Sequence, residues 1–462
     1  VHKSIIEYCI LLMCFFFQAE DGIRDTLCCR ELGEWYKKQV HMVNTKKIIN
    51  LGNNINLTLI KTEKFKSNLI SLYVQRLLDE KETTKNALIP SIIASGSAKY
   101  PSARAISNKL DDLYGSSMGA DAVKRGERQV LSFKVINISE KYLDESIFEE
   151  VVEFFNEVIN NTLVVDGGFK EEYLNIEKEN LREKIQSIIN DKKEYAQDKC
   201  IEAMCKGERY SVSEFGYEDE IDSITSRELY EHYKNILKTS PIDIVVEGNF
   251  DEDKVVDIIS KNLKFEREEI INIPRADFIK NVDEVKVIDE QMEITQGKLV
   301  MGYRANVDYA DIDKYYALVV GSNVLGGGPH SKLFVNVREK ESLCYYIFSS
   351  IEKYKSIMFI SSGIETKDYD KAVELIKKQV ESVKAGDISD EELENSKLAL
   401  VNSMKSITDN IGGMSDFVFS QSMAKTNSEV QDIISSIEKV TKKDIVEAIK
   451  NIELDTVYFL RN

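Results

Sequence analysis

Histidine is scarce: there are four in 462 residues, His2, His41, His232 and His330. No two stand four apart, so no helix can present the pair of imidazoles that a helix-borne metal site requires. Cysteine is nearly as sparse, and Cys9, Cys14, Cys28 and Cys29 crowd the N-terminal stretch, leaving only Cys200, Cys205 and Cys344 beyond it. Such a set supplies no disulfide framework, and with no histidine beside them Cys200 and Cys205 read as buried, reduced thiols in a reducing, cytoplasmic setting. Clustered basic charge is also missing. A net charge of −18 and a pI near 5.0 argue against a nucleic-acid surface, which needs Lys and Arg to neutralise phosphate. Long apolar runs are absent too: Tyr8 to Phe17 is cut short at Glu7, well below the roughly 20 residues a helix needs to cross a bilayer.

What is present is an ordinary globular composition, 43% hydrophobic and 30% charged, over a length that suggests about two to four domains. The N-terminal stretch stands apart. Its segment Phe15 to Asp25, FFFQAEDGIRD, resembles a peptide produced when sequencing-adapter DNA is translated with a gene. It lacks a basic n-region beyond Lys3 and a small-x-small cleavage site, so it does not read as a secretory signal. Residues 1–41, with the single Trp35, are therefore read as a non-native extension, and Met42 as a plausible start.

From Lys46 the chain becomes regular. Leu57 to Thr62 and Asn68 to Val74 alternate as strands, and a helical run follows from about Ile89. Ser102 then caps a helix that places Ala105, Ile106, Leu110 and Leu113 on one face and closes at Gly115. Leu131, Phe133 and Val135 alternate, and Phe148, Val151, Val152, Phe155, Val158 and Ile159 recur at helical spacing. After Gly167-Gly168 one long charged helix is expected over about Lys170 to Ala196, turning Leu174, Leu181, Ile185 and Ile188 inward. Ile242 to Phe250 ends this half as a buried strand.

The same order then returns. Lys298 to Tyr303 and Ile357 to Ile360 read as strands, and Ala372, Ile376, Val380 and Val383 form a helical face. A helix capped by Ser389 carries Leu393, Leu400, Met404 and Ile407, the intervals seen at Leu174, Leu181, Ile185 and Ile188. Thr456 to Leu460 matches the strand at Ile242, and a duplicated unit accounts for the shared order. The boundaries read as 42–264 for the first half, 265–285 for a linker carrying Pro274, and 286–462 for the second half. All five prolines, Pro90, Pro101, Pro241, Pro274 and Pro329, read as element starts or junctions.

The most distinctive stretch is Val324 to Tyr346, which joins three glycines, Gly326 to Gly328, to the run Leu333 to Tyr346. A phosphate-binding loop is excluded, because Pro329 and His330 follow the glycines where Gly-Lys-Ser/Thr would stand. His330, with no partner ligand, reads as a helix-entry residue. By spacing alone, Arg338 is a surface residue paired with Glu339 or Glu341, and Tyr345 or Tyr346 a core aromatic.

Two α+β halves joined by a linker, with Leu333, Phe334, Val337, Arg338, Glu339, Lys340, Leu343 and Tyr345 in register with L-F-x-x-[LV]-R-E-K-x-x-L-x-Y, resemble the pitrilysin family of inverted-zincin metallopeptidases. Glu208 to Asn235 looks like the family's segment after the zinc-binding helices, and the resemblance covers residues 46–462. It implies, in each half, a mainly antiparallel sheet covered by helices. Active members hold zinc with H-x-x-E-H on one helix and a Glu on the next long one. Here the corresponding positions, counted from Gly96 and aligned through Ile185 and Glu194-Tyr195, are Ala87, Pro90, Ser91 and Lys184. The first three offer no zinc ligand of the family's kind, and an ammonium at Lys184 repels a divalent cation. Glu177 matches a further acid of active members but reads as a solvated helix residue.

The resemblance further implies that Arg338 and Tyr345 reach a substrate backbone, Arg with a fork of donors and Tyr with a hydroxyl for a developing oxyanion. Gly326, Gly327 and Gly328 look like the substrate-side loop of the zinc-less processing-peptidase subunit. The expectation is a non-catalytic, substrate-binding subunit of a heterodimeric peptidase acting on peptides. Zinc would be carried only by a partner chain, and homodimers are also possible. The alternative is a stand-alone peptide-binding or scaffold protein, similar to zinc-less bacterial members associated by name with 5-aminopentanol modification of elongation factor P.

Overall fold

The computed structural model describes residues 45–462; the expectations for residues 1–41 lie outside them. The first half opens with a hairpin, β1 (Thr45–Gly52) and β2 (Ile55–Lys61), whose turn residues Asn53 and Asn54 both take positive φ, as a tight two-residue turn requires. Then come β3 (Ser67–Leu77), α1 (Glu80–Ala94), α2 (Ala103–Asp112), β4 (Ser117–Arg125), β5 (Arg128–Ile138) and α3 (Phe148–Asn160). A short hairpin, β6 (Val164–Val165) and β7 (Gly168–Phe169), precedes α4 (Glu171–Ser187), α5 (Lys192–Met204), α6 (Glu218–Ile221), α7 (Ser226–Thr239), β8 (Ile242–Gly248) and α8 (Glu252–Asn262). Residues 265–285 form neither helix nor strand.

The second half runs β9 (Lys286–Gln291), β10 (Gly297–Arg304), α9 (Ile312–Gly326), a π-helical turn at Phe334–Glu339, β11 (Cys344–Glu352) and β12 (Ile357–Ile364). It ends with α10 (Tyr369–Lys384), α11 (Asp390–Ile407), α12 (Gly413–Ala424), α13 (Val430–Lys439), α14 (Lys442–Ile449) and β13 (Glu453–Arg461). The sheets have the orders β1-β2-β8-β3-β5-β4 and β9-β13-β10-β12-β11. Leaving out β1, they correspond strand for strand. In each, one pair is parallel, β2 with β8 and β9 with β13, and every other pair is antiparallel. This shared, uncommon order is the structural form of the duplication, and the fold is α+β with two homologous halves.

Each sheet is covered on one face by its own helices and on the other by a helix from the opposite half. In β8, Ile242, Ile244 and Val246 join the first half's core, while Val245 packs with Ile60, Tyr73 and Val130 against Met414, Val418, Phe419 and Met423 of α12. Reciprocally, Val300, Phe359, Tyr458 and Leu460 of the second sheet meet Ala196, Cys200, Ile201 and Met204 of α5. Both faces being apolar explains why every residue of β8 is buried. Gly302 is required here for space: a Cβ would lie 2.6 Å from the Met204 sulfur. Cys200 and Cys205 are buried and free.

Several expectations need correcting. The helix expected over Lys170 to Ala196 is two helices, because the Asp191 carboxylate accepts the Lys193 and Glu194 backbone N–H groups and starts a new helix there. That break is what sends α5 across to the other sheet. Only Leu174 and Leu181 of the four inward positions are fully buried; Ile185 and Ile188 are half-buried. The helix expected from Ile89 begins at Glu80, capped by Asp79, so Pro90 lies inside α1 rather than at an element start. Packing of Leu88, Ile89, Ile92 and Ile93 into the core holds the helix through the proline.

The halves are also joined by a buried ionic network. The fully buried Lys355 ammonium contacts the Glu127 and Glu208 carboxylates at 2.6 Å each and donates to the Asp277 carbonyl at 3.0 Å. Arg304 meets Glu208 at 2.7 Å and Asp455 at 2.9 Å. Burial pushes the Glu208 carboxyl up, but the hydrogen bonds from Lys355 and Arg304 outweigh it and hold its pKa below the ordinary value. Where α12 meets β8, Glu247 has the opposite balance: burial raises its carboxyl to about 7, although Gly412 and Ser415 backbone N–H groups favour the charged form.

The ionic network and Glu247 lead to three stability predictions. Lys355→Ala leaves two carboxylates without their cation and should cost about 3–5 kcal/mol in denaturant unfolding. The depressed Glu208 pKa gives stability that is complete above the unfolded value of about 4.3 and is lost as pH falls through the folded one, so Glu208→Gln should flatten that acid limb. Glu247 works the other way. Its raised pKa makes stability decline as pH rises from about 4.3 through about 7, so Glu247→Gln should raise the denaturation midpoint at pH 8, with the gain shrinking at lower pH.

Candidate functional site

The first-half positions singled out from sequence come together. Ala87, Pro90 and Ser91 on α1 and Lys184 on α4 line one small cavity of about 70 Å³, with Asp121, Glu177, Asn180 and Phe215. The Lys184 ammonium lies 3.8 Å from Asp121 on β4 and 4.2 Å from the centre of the Phe215 ring, a cation resting on an aromatic face. Glu177 is not a solvated helix residue. It is half-buried and ties α4 to α1, accepting a hydrogen bond from Ser95 Oγ at 3.1 Å and another from Asn180 Nδ2 at 3.0 Å.

The donor set does not fit zinc. A methyl group, a pyrrolidine ring, one hydroxyl and an ammonium offer at most a single neutral oxygen, where zinc sites use three or four Cys, His or carboxylate ligands. Both nearby carboxylates are engaged, Asp121 with Lys184 and Glu177 with Ser95 and Asn180. Among the described residues no three His, Cys, Asp or Glu side chains converge to hold a metal ion. His232 bonds the Asn86 side chain at 2.8 Å, and burial pushes its pKa down to about 4. His330 lies in the second half within 3.3 Å of Asn323 and Ser396 side-chain oxygens.

The second-half residues do not line that cavity, whose walls come from the first half alone. Arg338 sits on the π-helical turn, closed by the Lys340 N–H donating to the Val335 carbonyl at 3.0 Å. Such turns recur at functional sites. Its guanidinium lies 4.5 Å from the Phe334 ring centre and pairs with neither Glu339 nor Glu341; Lys371 takes Glu341 instead. Tyr345 and Tyr346 part company at a bulge: Cys344 pairs with Ile364 and Tyr346 with Gly363, leaving Tyr345 unpaired and 75% exposed. Tyr346 is half-buried, its ring centre 5.6 Å from the Lys193 ammonium of α5 and 5.5 Å from that of Lys298, and burial pushes its hydroxyl up to about 12. Tyr345 is thus the open side chain, and Tyr346 the one that faces the first half.

The three glycines are not one open loop. Gly326 is the buried last residue of α9, where a Cβ would lie 2.5 Å from the Ser349 backbone nitrogen of β11, so its role is close packing. Gly327 caps the helix and is exposed, and Gly328 is half-buried. Asp121 and Phe215 were not anticipated as site residues. Phe215 falls in the Glu208 to Asn235 segment, whereas nothing in the alternation of β4 marked Asp121.

Residues 223–400 match the family described as "Peptidase M16 inactive domain". The chain is 36% identical over 407 residues to YmfF of Bacillus subtilis strain 168, a probable inactive metalloprotease, spanning 87% of this chain and 95% of that one. It is 23% identical over 348 residues to YmxG of the same strain, an uncharacterized zinc protease, across 72% of this chain and 81% of the other. Among solved structures, a conserved protein from Enterococcus faecalis V583 superposes with a TM-score of 0.84 at 29% identity, covering 91% of this chain and 99% of that one.

The cavity generates a direct test of its chemistry. After dialysis against zinc, elemental analysis should find no stoichiometric metal in the native chain. The triple variant Ala87→His, Ser91→His, Lys184→Glu should retain zinc stoichiometrically, since all three positions line the same cavity.

Proposed function

Because the chain belongs to the M16, or pitrilysin, peptidase family as an inactive member, we propose that it is the substrate-binding, non-catalytic subunit of a heterodimeric zinc metallopeptidase acting on peptides. The observation that carries this reading is the contrast between its two halves. The cavity at α1 and α4 holds Lys184 against Asp121 and has lost metal-binding donors, while Arg338 keeps a guanidinium free of carboxylate partners among the described residues and laid on Phe334. A rigid fork of donors held that way suits a peptide carbonyl.

The free edge of the first sheet adds support. β4 is its terminal strand and carries Asp121 at the cavity; its Ala122 and Lys124 N–H groups are held by the Asp121 and Glu214 carboxylates, so an extended peptide would gain main-chain hydrogen bonds along the part of the strand before Asp121. Hydrolysis would take place at metal carried by a zinc-bearing family partner, with Arg338 and Tyr345 placing the substrate backbone. No helix among the described residues is long and apolar enough to cross a membrane, and the proposed setting is the cytoplasm. A stand-alone peptide-binding scaffold is favoured by one observation: Arg338 and Tyr345 lie outside the walls of the cavity at α1 and α4, so they can engage a chain without it.

Co-expression with a family chain bearing H-x-x-E-H should yield a complex that cleaves a fluorogenic peptide mixture, with neither chain active alone. Arg338→Ala or Tyr345→Phe in that complex should lower kcat by about 10²-fold, the scale of losing one transition-state donor. A complex that assembles and turns over unchanged with both variants would leave the scaffold reading in its place.

A further inference from the structure

In the second half, residues 282–285, α10 and the turn from α14 into β13 bound a cavity of about 420 Å³, a volume in the range of small-molecule sites. It shares no residue with the cavity at α1 and α4, nor with Arg338, Tyr345 or the glycines, and so takes no part in the peptidase reading. Its walls are aliphatic: Val380 and Ile452 are buried, Val282 and Leu454 half-buried, and Val285 is 40% exposed. Glu453 accepts the Val282 backbone N–H at 3.3 Å, which holds residues 282–285 against β13 as one of the walls. The charged side chains keep to water. Asp283, Glu284, Lys377, Glu381 and Glu453 are exposed, and the ammonium of half-buried Lys384 lies 2.9 Å from Glu381.

The inner end is different. Tyr303 of β10 lines the cavity and is only 3% exposed, yet its hydroxyl is buried without a hydrogen-bond partner among the described residues. Two equally buried tyrosines are satisfied: Tyr233 donates to the Ile159 carbonyl at 2.8 Å and Tyr458 to Glu290 at 2.5 Å. The Tyr303 hydroxyl faces this space, because the carboxylate whose charge it feels, Glu381, belongs to the same lining. Burial, reinforced by that charge, pushes its pKa up, so the hydroxyl stays a neutral donor and acceptor. A buried polar group left unpaired is costly, and what meets it here is set by desolvation. An ion brought beside Tyr303 would surrender its hydration with no buried opposite charge to compensate. A neutral oxygen or amide group surrenders far less and gains the hydrogen bond. The aliphatic walls favour an apolar body behind that group.

We propose that this cavity binds a small neutral molecule, with an aliphatic body against Val282, Val380, Ile452 and Leu454 and an alcohol or amide head hydrogen-bonded to the Tyr303 hydroxyl. The site lies wholly in residues 282–454, and its test needs neither a partner chain nor turnover.

Saturation-transfer NMR titration of the full chain with cyclohexanol, cyclohexanecarboxamide, cyclohexylammonium and cyclohexanecarboxylate compares one apolar body under neutral and charged heads. At least one neutral probe should bind about tenfold more tightly than either ion. Tyr303→Phe should weaken that binding about tenfold with no fall in melting temperature, since the hydroxyl it removes is unpaired among the described residues. Val285→Trp, at an exposed position of the lining, should weaken every probe by filling the entrance while leaving the melting temperature unchanged. Equal affinity for neutral and charged heads, no binding of any probe, or unchanged affinity in either variant would overturn the proposal. A lower melting temperature in Tyr303→Phe with probe affinity unchanged would overturn it too, and would assign the hydroxyl to an internal water instead.

Discussion

The structure depends on the exchange of α5 and α12. Each sheet has two apolar faces, and each half supplies helices for only one of them, so neither β8 nor β10 can be dry unless the other half lends a helix. Removing α12 would expose Ile60, Tyr73, Val130 and Val245, and removing α5 would expose Val300, Phe359, Tyr458 and Leu460. Tyr73 stacks on Phe419 at 4.1 Å, and its hydroxyl bonds Asp416 at 2.6 Å, so apolar burial and a specific polar contact fix the same crossing. The halves therefore hold one another in place, and cleft geometry is set by packing rather than by the linker.

Polar residues sharpen that placement. The Lys355, Glu127, Glu208 and Arg304 cluster joins side chains from both halves in a site from which water is largely excluded, where a mismatch in position leaves a bare charge. Such a network rewards one relative arrangement over its near neighbours. It sits where α5 ends, near Met204, whose carbonyl accepts from Arg304 at 2.8 Å, so the strand-crossing helix is anchored at the end opposite its Asp191 cap. From that cap the chain presents Lys193 to Tyr346, while the helix body carries Tyr195 and Asp198 to a cavity of about 770 Å³ between α4, α5 and β11. One helix thus closes the second sheet and furnishes walls to two clefts.

Much of the element order was legible because it rests on local periodicity. Phe148 to Ile159, the alternation in β5, and the Ser389 cap with its reciprocal Glu392 contact are dictated by neighbours in sequence. Misreadings arose where tertiary packing overrode a local rule. Pro90 reads as a helix start, but the core contacts on either side of it outweigh one missing hydrogen bond. Lys170 to Ala196 reads as one helix because Asn190 and Asp191 are weak breakers by composition; only the Asp191 cap, stabilised by the destination of α5, makes them a boundary. Gly326 reads as loop because its reason for being glycine is the β11 backbone, a neighbour distant in sequence.

What Ala87, Pro90, Ser91 and Lys184 can offer a metal was decided by sequence alone, since no folding can place an imidazole where Ala87 and Ser91 stand or remove the charge of Lys184. Residue chemistry is local and survives any arrangement. What only the tertiary structure decided is adjacency and direction. It brought Lys184 to Asp121 and Phe215, turned Tyr345 outward and Tyr346 toward α5 through one bulged residue, and enclosed Asp198, Glu352 and Tyr210 around a common space. Those outcomes depend on contacts between residues far apart in the chain and on a helix crossing from one half to the other, which no spacing within a segment encodes.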